Sequence, residues 1–324
     1  MRRTSHFFGV LSIIVVTVGG LISLSYQNEI SHARAAAGSG GQVINTAMGP
    51  IEYAATGSGM AILSIHGAGG GYDQGLANVA DLVGSRFRVI APSRFGYLGT
   101  PVPKDTTTSA QADALAALLV KLKVDKAIVV GTSAGARSAI ELALRHPEKV
   151  VALLLIVPGT FAPDSPVKIQ GSRGSQFAFW LVNAGADFAW WAMEKASPSV
   201  LIRFLGVPPD VYATASAAEQ KRVMSIVQNV QPLSRRVLGI NVDSIADIIR
   251  YPLEKISVPT LVVSARDDLF NTLPAAQFAA SHIPNAKLVI FETGGHLLVG
   301  RENELRSVAE KFLTDAGLSS SVPN

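Results

Sequence analysis

A mainly apolar run, Lys126-Ala127-Ile128-Val129-Val130, leads directly into Gly131-Thr132-Ser133-Ala134-Gly135, and residues 136–146 then read as a helix. This is a strand that ends, a chain that reverses sharply, and a helix that starts at once, with a serine hydroxyl at the apex. The two glycines have a steric origin. Where the chain turns at Ser133 the backbones two residues to either side come together, and a side chain at either place would clash. A chain with 29 glycines produces such pentapeptides by accident. The weight here comes from the flanks: a buried parallel-type strand before the turn and the positive end of a helix dipole beside the serine. Ser133 is therefore the candidate nucleophile.

A hydroxyl attacks at neutral pH only if a base removes its proton in the transition state, so one of the six histidines must serve. His6 lies in the apolar N-terminal segment and His32 in the polar stretch after it. His146 and His282 sit near helix ends, where an imidazolium interacts favourably with the dipole. His66 opens a glycine-rich turn and is expected to hold that turn by hydrogen bonding. His296 follows a strand, residues 287–291, through Glu292-Thr293-Gly294-Gly295. Strand ends of a mostly parallel sheet share one edge, so this loop can reach Ser133.

A base is usually oriented by a carboxylate on its far nitrogen. The strand Pro259-Thr260-Leu261-Val262-Val263-Ser264 runs into Ala265-Arg266-Asp267-Asp268-Leu269, which puts two acids at the same edge. Asp268 is the first choice and Asp267 the second. Asp164, just beyond a strand over residues 151–157, is a third. In each case the chain order is Ser, Asp, His.

Acyl transfer places negative charge on a carbonyl oxygen, and each donor aimed at it is worth about 3 to 4 kcal/mol. Ala134 offers one backbone N–H by its place in the turn. The second is expected from the loop that ends another central strand: Ala61-Ile62-Leu63-Ser64-Ile65 runs into His66-Gly67-Ala68-Gly69-Gly70-Gly71, and Ala68 is nominated, with Gly69 as the second choice. A dinucleotide-binding reading of this cluster fails, because a glycine would be required at Tyr72. With no cysteine and no His-Glu-x-x-His helix, the sequence suggests no metal and no cofactor.

These residues resemble the serine-nucleophile members of the α/β-hydrolase superfamily. The resemblance covers residues 43–316, through His66-Gly67, the Ser133 turn, the Asp268 loop and Gly294-Gly295-His296 in the family's order. It implies a mostly parallel eight-stranded sheet flanked by helices, a helical lid inserted after the sixth strand, a triad of Ser133, Asp268 and His296, and an oxyanion hole from Ala68 and Ala134. Two positions depart from the family's pattern. Thr272 stands where many relatives have proline four residues after the acid, and Pro92-Ser93-Arg94-Phe95-Gly96-Tyr97 lacks the usual aspartate before its glycine. Arg94 is left with two possible roles, lining the pocket or forming a surface salt bridge.

The chain of 324 residues, 48% hydrophobic, is long enough to bury one large α/β core. Met1-Arg2-Arg3 precedes an uncharged apolar run over residues 7–26, followed by polar residues with alanines at 33, 35 and 37. Residues 1–37 thus read as a signal peptide or an uncleaved membrane anchor plus linker, the length of the run favouring the anchor, and residues 27–42 as linker. Either way the catalytic part is expected outside the cytoplasm, with Arg2 and Arg3 inside. Strands near residues 43–48, 51–56, 61–65, 87–91, 127–130 and 151–157 alternate with helices over 108–122 and 136–146. The core is assigned to residues 43–160 and 252–317, and the helical, proline-broken stretch 161–251 to the lid, with residues 318–324 as a tail.

All three tryptophans fall in that stretch, Trp180, Trp190 and Trp191, with Phe177, Phe179 and Phe188. They either pack the lid or line an apolar pocket. A net charge of +4, dispersed along the chain, gives no stripe for nucleic acid. The expectation is a hydrolase of an apolar small to medium carboxylic ester, acting through an acyl-Ser133. Carbon-carbon bond hydrolysis, acyl transfer and perhydrolysis use the same residues, and a binding protein that holds an apolar ligand without turnover is the alternative of a different class.

Overall fold

The computed structural model describes residues 2–83, 86–163, 186–246 and 248–318. Asp164, Phe177, Phe179 and Trp180 lie outside the described residues.

A long N-terminal helix, α1 (Arg2–Ser39), precedes an antiparallel pair, β1 (Gln42–Thr46) and β2 (Gly49–Thr56). Then come β3 (Met60–Ile65), α2 (Tyr72–Val83), β4 (Phe87–Pro92), α3 (Thr108–Lys121), β5 (Ala127–Thr132), α4 (Gly135–Arg145) and β6 (Val150–Ile156). Among the described residues, five α-helices follow between β6 and the next strand: α5 (Asp187–Ala196), α6 (Pro198–Phe204), α7 (Pro209–Thr214), α8 (Ala217–Asn229) and α9 (Val237–Ile245). The chain closes with β7 (Thr260–Ala265), α10 (Leu273–His282), β8 (Lys287–Phe291) and α11 (Glu302–Asp315).

The strands form one eight-stranded sheet in the order β1-β2-β4-β3-β5-β6-β7-β8, parallel from β4 to β8. Central strands are buried on both faces, and the period-two alternation divides their side chains between two layers. Leu63, Val129, Leu153 and Val262 pack under α3, α4 and α10, with Leu115, Leu118 and Ile140. Ile62, Ile128, Val130, Leu154 and Val263 pack under α2 and α11, with Val79, Phe312 and Leu313.

Register brings the functional loops to one edge. Ile65 at the end of β3 lies opposite Gly131, Thr132 opposite Ile156, Ile156 opposite Val263, and Ala265 opposite Phe291. The loops after β3, β5, β7 and β8 therefore emerge side by side.

Helices α5 to α9 have an apolar centre of their own, in which Trp190, Leu201, Ile202, Val223 and Val227 meet Tyr97 and Val299 from the core. Trp190 is 1% exposed and its indole N–H donates to the Val227 carbonyl at 3.0 Å, so this ring is a packing residue.

The N-terminal stretch differs from the sequence reading in one respect. Residues 27–39, read as linker, continue α1, and this end of the helix packs on the protein: Ile30 and Ala37 are buried. Tyr26 meets Phe188 and Trp191 edge-on at 5.2 and 5.6 Å, Glu29 pairs with Lys195 at 2.7 Å, and Arg34 pairs with Asp187 at 3.1 Å. Partner side chains 153 residues away on α5 are invisible to a local composition argument. Upstream, Ile13, Val16 and Leu24 are exposed, and residues Ile13–Ser39 are long and apolar enough to cross a bilayer by length and composition.

Candidate active site

Ser133 sits immediately after β5 with φ +53°, a left-handed conformation that costs a non-glycine residue about 1 kcal/mol. Its surroundings compel that geometry. A Cβ at Gly131 would lie 2.6 Å from the Ala139 Cβ, and one at Gly135 2.5 Å from the carbonyl oxygens of both Ile65 and His66. The Ser133 N–H donates to the Ile156 carbonyl at 2.9 Å, and the Ser133 carbonyl accepts from Gly159 at 3.0 Å and Ala136 at 3.1 Å. The hydroxyl thus stands on a turn fixed by β3, β6 and its own helix.

His296 Nε2 lies 2.9 Å from Ser133 Oγ, and His296 Nδ1 lies 2.8 Å from Asp268 Oδ2. With Nδ1–H donating to the carboxylate, Nε2 is left as the acceptor for the serine hydroxyl. The imidazole is 9% exposed and the Asp268 carboxyl fully buried. Burial works to raise the Asp268 pKa, but the facing imidazole and hydrogen bonds from His296, Thr272 and the Phe270 N–H outweigh it and hold the carboxyl below its ordinary value. The Phe270 N–H donates to Oδ1 at 2.8 Å, and the Thr272 hydroxyl makes a short hydrogen bond to Oδ2.

Asp267 faces elsewhere. Its two oxygens accept from the N–H groups of Gly294 and Gly295 at 3.0 and 2.8 Å, tying the β7 loop to the β8 loop that carries His296. The inserted helices contribute at this point as well. The Gly206 carbonyl accepts from His296 N–H at 3.0 Å and from Leu269 N–H at 3.1 Å. Gly206 has φ +82°, and a Cβ there would lie 2.5 Å from the His296 Cβ. Phe270 stacks edge-on against the imidazole at 4.6 Å.

The loop after β3 lies against the serine, since a Cβ at Gly67 would be 3.1 Å from the Ser133 Cβ. Most of its N–H groups are already used: Gly67 donates to Gln74 Oε1 at 2.8 Å, Gly69 to the Tyr97 hydroxyl at 3.2 Å, and Gly70 to the Gly67 carbonyl at 3.4 Å. Among the hydrogen bonds of the described residues, none takes the N–H of Ala68 or of Ala134. His66 accepts the Arg94 N–H on Nε2 at 2.9 Å and faces the Gly67 carbonyl with Nδ1 at 2.7 Å. Burial and the neighbouring Arg94 charge push its pKa well below the ordinary value, so it is a neutral fastening of the loop.

Arg94 forms an ion pair, but a buried one. Its guanidinium is bound on both terminal nitrogens by Asp243 of α9, at 2.5 and 2.6 Å. Asp243, Gly206 and Gln74 carry no local motif, and the departures at Arg94 and Thr272 were the sequence signals that pointed toward these contacts. No group of three or more His, Asp or Glu among the described residues is placed to hold a metal ion.

The arrangement has a hydroxyl on an imidazole, a carboxylate behind the imidazole, and unengaged N–H groups on Ala134, next to the serine, and on Ala68, in the loop that lies against it, all at the carboxyl edge of a parallel sheet. Residues 62–310 match the model of the alpha/beta hydrolase family. The chain belongs to that family. Among curated relatives, 2-hydroxymuconate semialdehyde hydrolase of Pseudomonas putida is 28% identical over 272 residues, 80% of this chain and 89% of the relative. Pimeloyl-[acyl-carrier protein] methyl ester esterase of Aromatoleum aromaticum is 28% identical over 218 residues, 64% of this chain and 80% of the relative. Among solved structures, an alpha/beta hydrolase fold protein from Nakamurella multipartita superposes with a TM-score of 0.63 at 27% identity, covering 86% of this chain and 99% of that one. The protein is a hydrolase of this family, similar in sequence to a hydrolase named for a small molecule, 2-hydroxymuconate semialdehyde.

Proposed function

We propose that the protein is a serine hydrolase that cleaves carboxylic esters of apolar, small to medium size through an acyl-Ser133 intermediate. The observation that supports this most is the unbroken line from Asp268 to His296 to Ser133, two hydrogen bonds of 2.8 and 2.9 Å. In this reading Ser133 Oγ attacks the ester carbonyl carbon while His296 Nε2 takes its proton. The carbonyl oxygen gains the negative charge and is received by the N–H groups of Ala68 and Ala134. Collapse breaks the bond to the alcohol oxygen, to which His296 returns the proton. Water then attacks the acyl-serine by the same route, releasing the acid and restoring the hydroxyl. Asp268 keeps the imidazole in the required tautomer and stabilises it when charged. Phe270 beside His296 and Val230 over Gly69 suit an apolar substrate, and the methyl ester esterase relative is consistent with ester chemistry.

Residues 161–251 act in this reading as a lid over the site. Residues 1–37 act as a retained membrane anchor that places the hydrolase outside the cytoplasm, with Arg2 and Arg3 inside. The packing of α1 against α5 supports retention, because cleavage near residue 37 would strip partners from Lys195 and Asp187.

The test is activity-based labelling. Wild type is expected to react with a fluorophosphonate probe and to turn over p-nitrophenyl esters, and Ser133→Ala to do neither; full turnover in that variant would end the reading. A wild type that takes no probe yet gains thermal stability from an apolar ligand would instead be a binding protein. The 2-hydroxymuconate semialdehyde hydrolase relative favours a second reading, carbon-carbon bond hydrolysis on the same residues. Turnover of vinylogous diketones in preference to esters would establish it.

A further inference from the structure

The Gly67 carbonyl and the Ala68 N–H belong to one peptide unit, so whatever draws on the carbonyl oxygen makes the N–H a stronger donor. That oxygen faces His66 Nδ1 at 2.7 Å, Arg94 Nη2 at 3.1 Å and the Gly70 N–H at 3.4 Å. Arg94 is the charged member, and its surroundings hold it in place. It is 4% exposed, its Nε donates to the His66 carbonyl at 2.9 Å, and Asp243 grips both terminal nitrogens.

Asp243 belongs to α9 in the inserted segment, and it reaches the neighbouring parts of the site too. It accepts the Tyr97 hydroxyl at 2.6 Å, and the Tyr97 oxygen in turn accepts the Gly69 N–H. It faces Arg137 Nη2 at 3.5 Å, and Arg137 Nε donates to the Ala134 carbonyl at 3.3 Å. An arginine of the inserted segment itself, Arg236, donates to the Gly70 carbonyl at 2.6 Å and pairs with Asp73. The loop that carries Ala68 is thus fastened from behind by groups the inserted segment either supplies or holds.

We propose that Arg94, held by Asp243, is a positioning residue that orients and polarises the Gly67–Ala68 peptide, so that the oxyanion hole reaches full strength only with α9 seated on the core. The inference rests on the acyl-serine reading above, which uses the Ala68 N–H. A hydrogen bond from a charged donor is roughly twice as strong as a neutral one, and in a water-poor site its pull on the peptide is little screened. A buried guanidinium without a counter-charge would be too costly to keep there, which gives Asp243 its part. Lysine is no substitute, because one ammonium cannot span two backbone carbonyls and both oxygens of a carboxylate.

The experiment compares wild type with Arg94→Met, Arg94→Lys and Tyr97→Phe in the full chain. Steady-state hydrolysis of a p-nitrophenyl ester is measured beside inhibition by a trifluoromethyl ketone, which forms a tetrahedral adduct with the serine. Removing one oxyanion donor outright costs about 100- to 1000-fold in kcat, so weakening one should cost about 10- to 100-fold. Arg94→Met and Arg94→Lys are expected to lose that much kcat with KM within about twofold, and to lose ketone affinity in proportion. Tyr97→Phe, which removes one oxygen and tolerates folding best, should lose about 3- to 10-fold by the same reasoning. A folded Arg94→Met with unchanged kcat, or with loss confined to KM, overturns the proposal. If neither Arg94 variant folds, unchanged kcat in Tyr97→Phe overturns it. A wild type that takes no fluorophosphonate removes the acyl-serine reading and this inference together, whereas labelled wild type with fully active variants removes this inference alone.

Discussion

Two adjacent acids differ here because of what each finds to accept. Asp267 meets two backbone N–H groups of the His296 loop, while Asp268 meets the imidazole, the Thr272 hydroxyl and the Phe270 N–H. Thr272, where relatives often have proline, supplies a hydroxyl to the carboxylate. Asp268→Asn keeps the shape but lets the amide stabilise the wrong imidazole tautomer; kcat should fall by about 10³- to 10⁴-fold with little change in melting. Asp267→Asn should cost far less in kcat and show chiefly as a lower melting temperature, and equal losses from the two variants would contradict the assignment. Gly135→Ala should destabilise by about 1–3 kcal/mol, since its Cβ would press on two carbonyl oxygens; chemical denaturation measures this. The Ser133 turn was legible in the sequence because its requirement is local. The choice between Asp267 and Asp268 was not, because it turns on where the β8 loop offers its N–H groups.

At the level of elements, strands and their flanking helices were readable from period and turn chemistry, and the strands near 61–65, 127–130 and 151–157 are β3, β5 and β6 within a residue or two. The joint between α9 and the core was not readable, because Arg94 and Asp243 are 149 residues apart. This joint has a pH signature. Burial works to raise the Asp243 pKa, but Arg94, Arg137 and Tyr97 outweigh it and bring the carboxyl from 3.8 down to about 2. A depressed carboxylate stabilises the fold above its unfolded value and loses that stabilisation as pH falls through the folded one. Asp243 should therefore contribute about 2 kcal/mol at pH 6, lost between about pH 4 and 2. Urea denaturation at pH 6, 4 and 3 checks this. Asp243→Asn should be less stable at pH 6 and flatter over the acid range, and an unchanged acid slope would exclude the joint as its source.

For the whole molecule, the N-terminal helix decides whether the catalytic part stands alone. A chain starting at residue 26 keeps Tyr26, Ile30, Ala37 and both ion pairs to α5, and should melt with the full-length protein. A chain starting at residue 41 loses them and should be less stable by about 2–4 kcal/mol, mostly from the buried isoleucine. Equal melting of the two would mean that the packing of α1 contributes nothing. Hydropathy alone was enough to mark residues 7–26 as apolar, just as periodicity alone was enough for the sheet, because both are sums over neighbours in the chain. Which end of α1 packs, which acid faces His296, and what stands behind the Ala68 peptide depend on partners from distant loops. Such contacts form when the sheet's register brings its strand ends to one edge, and short-range sequence pattern does not encode them.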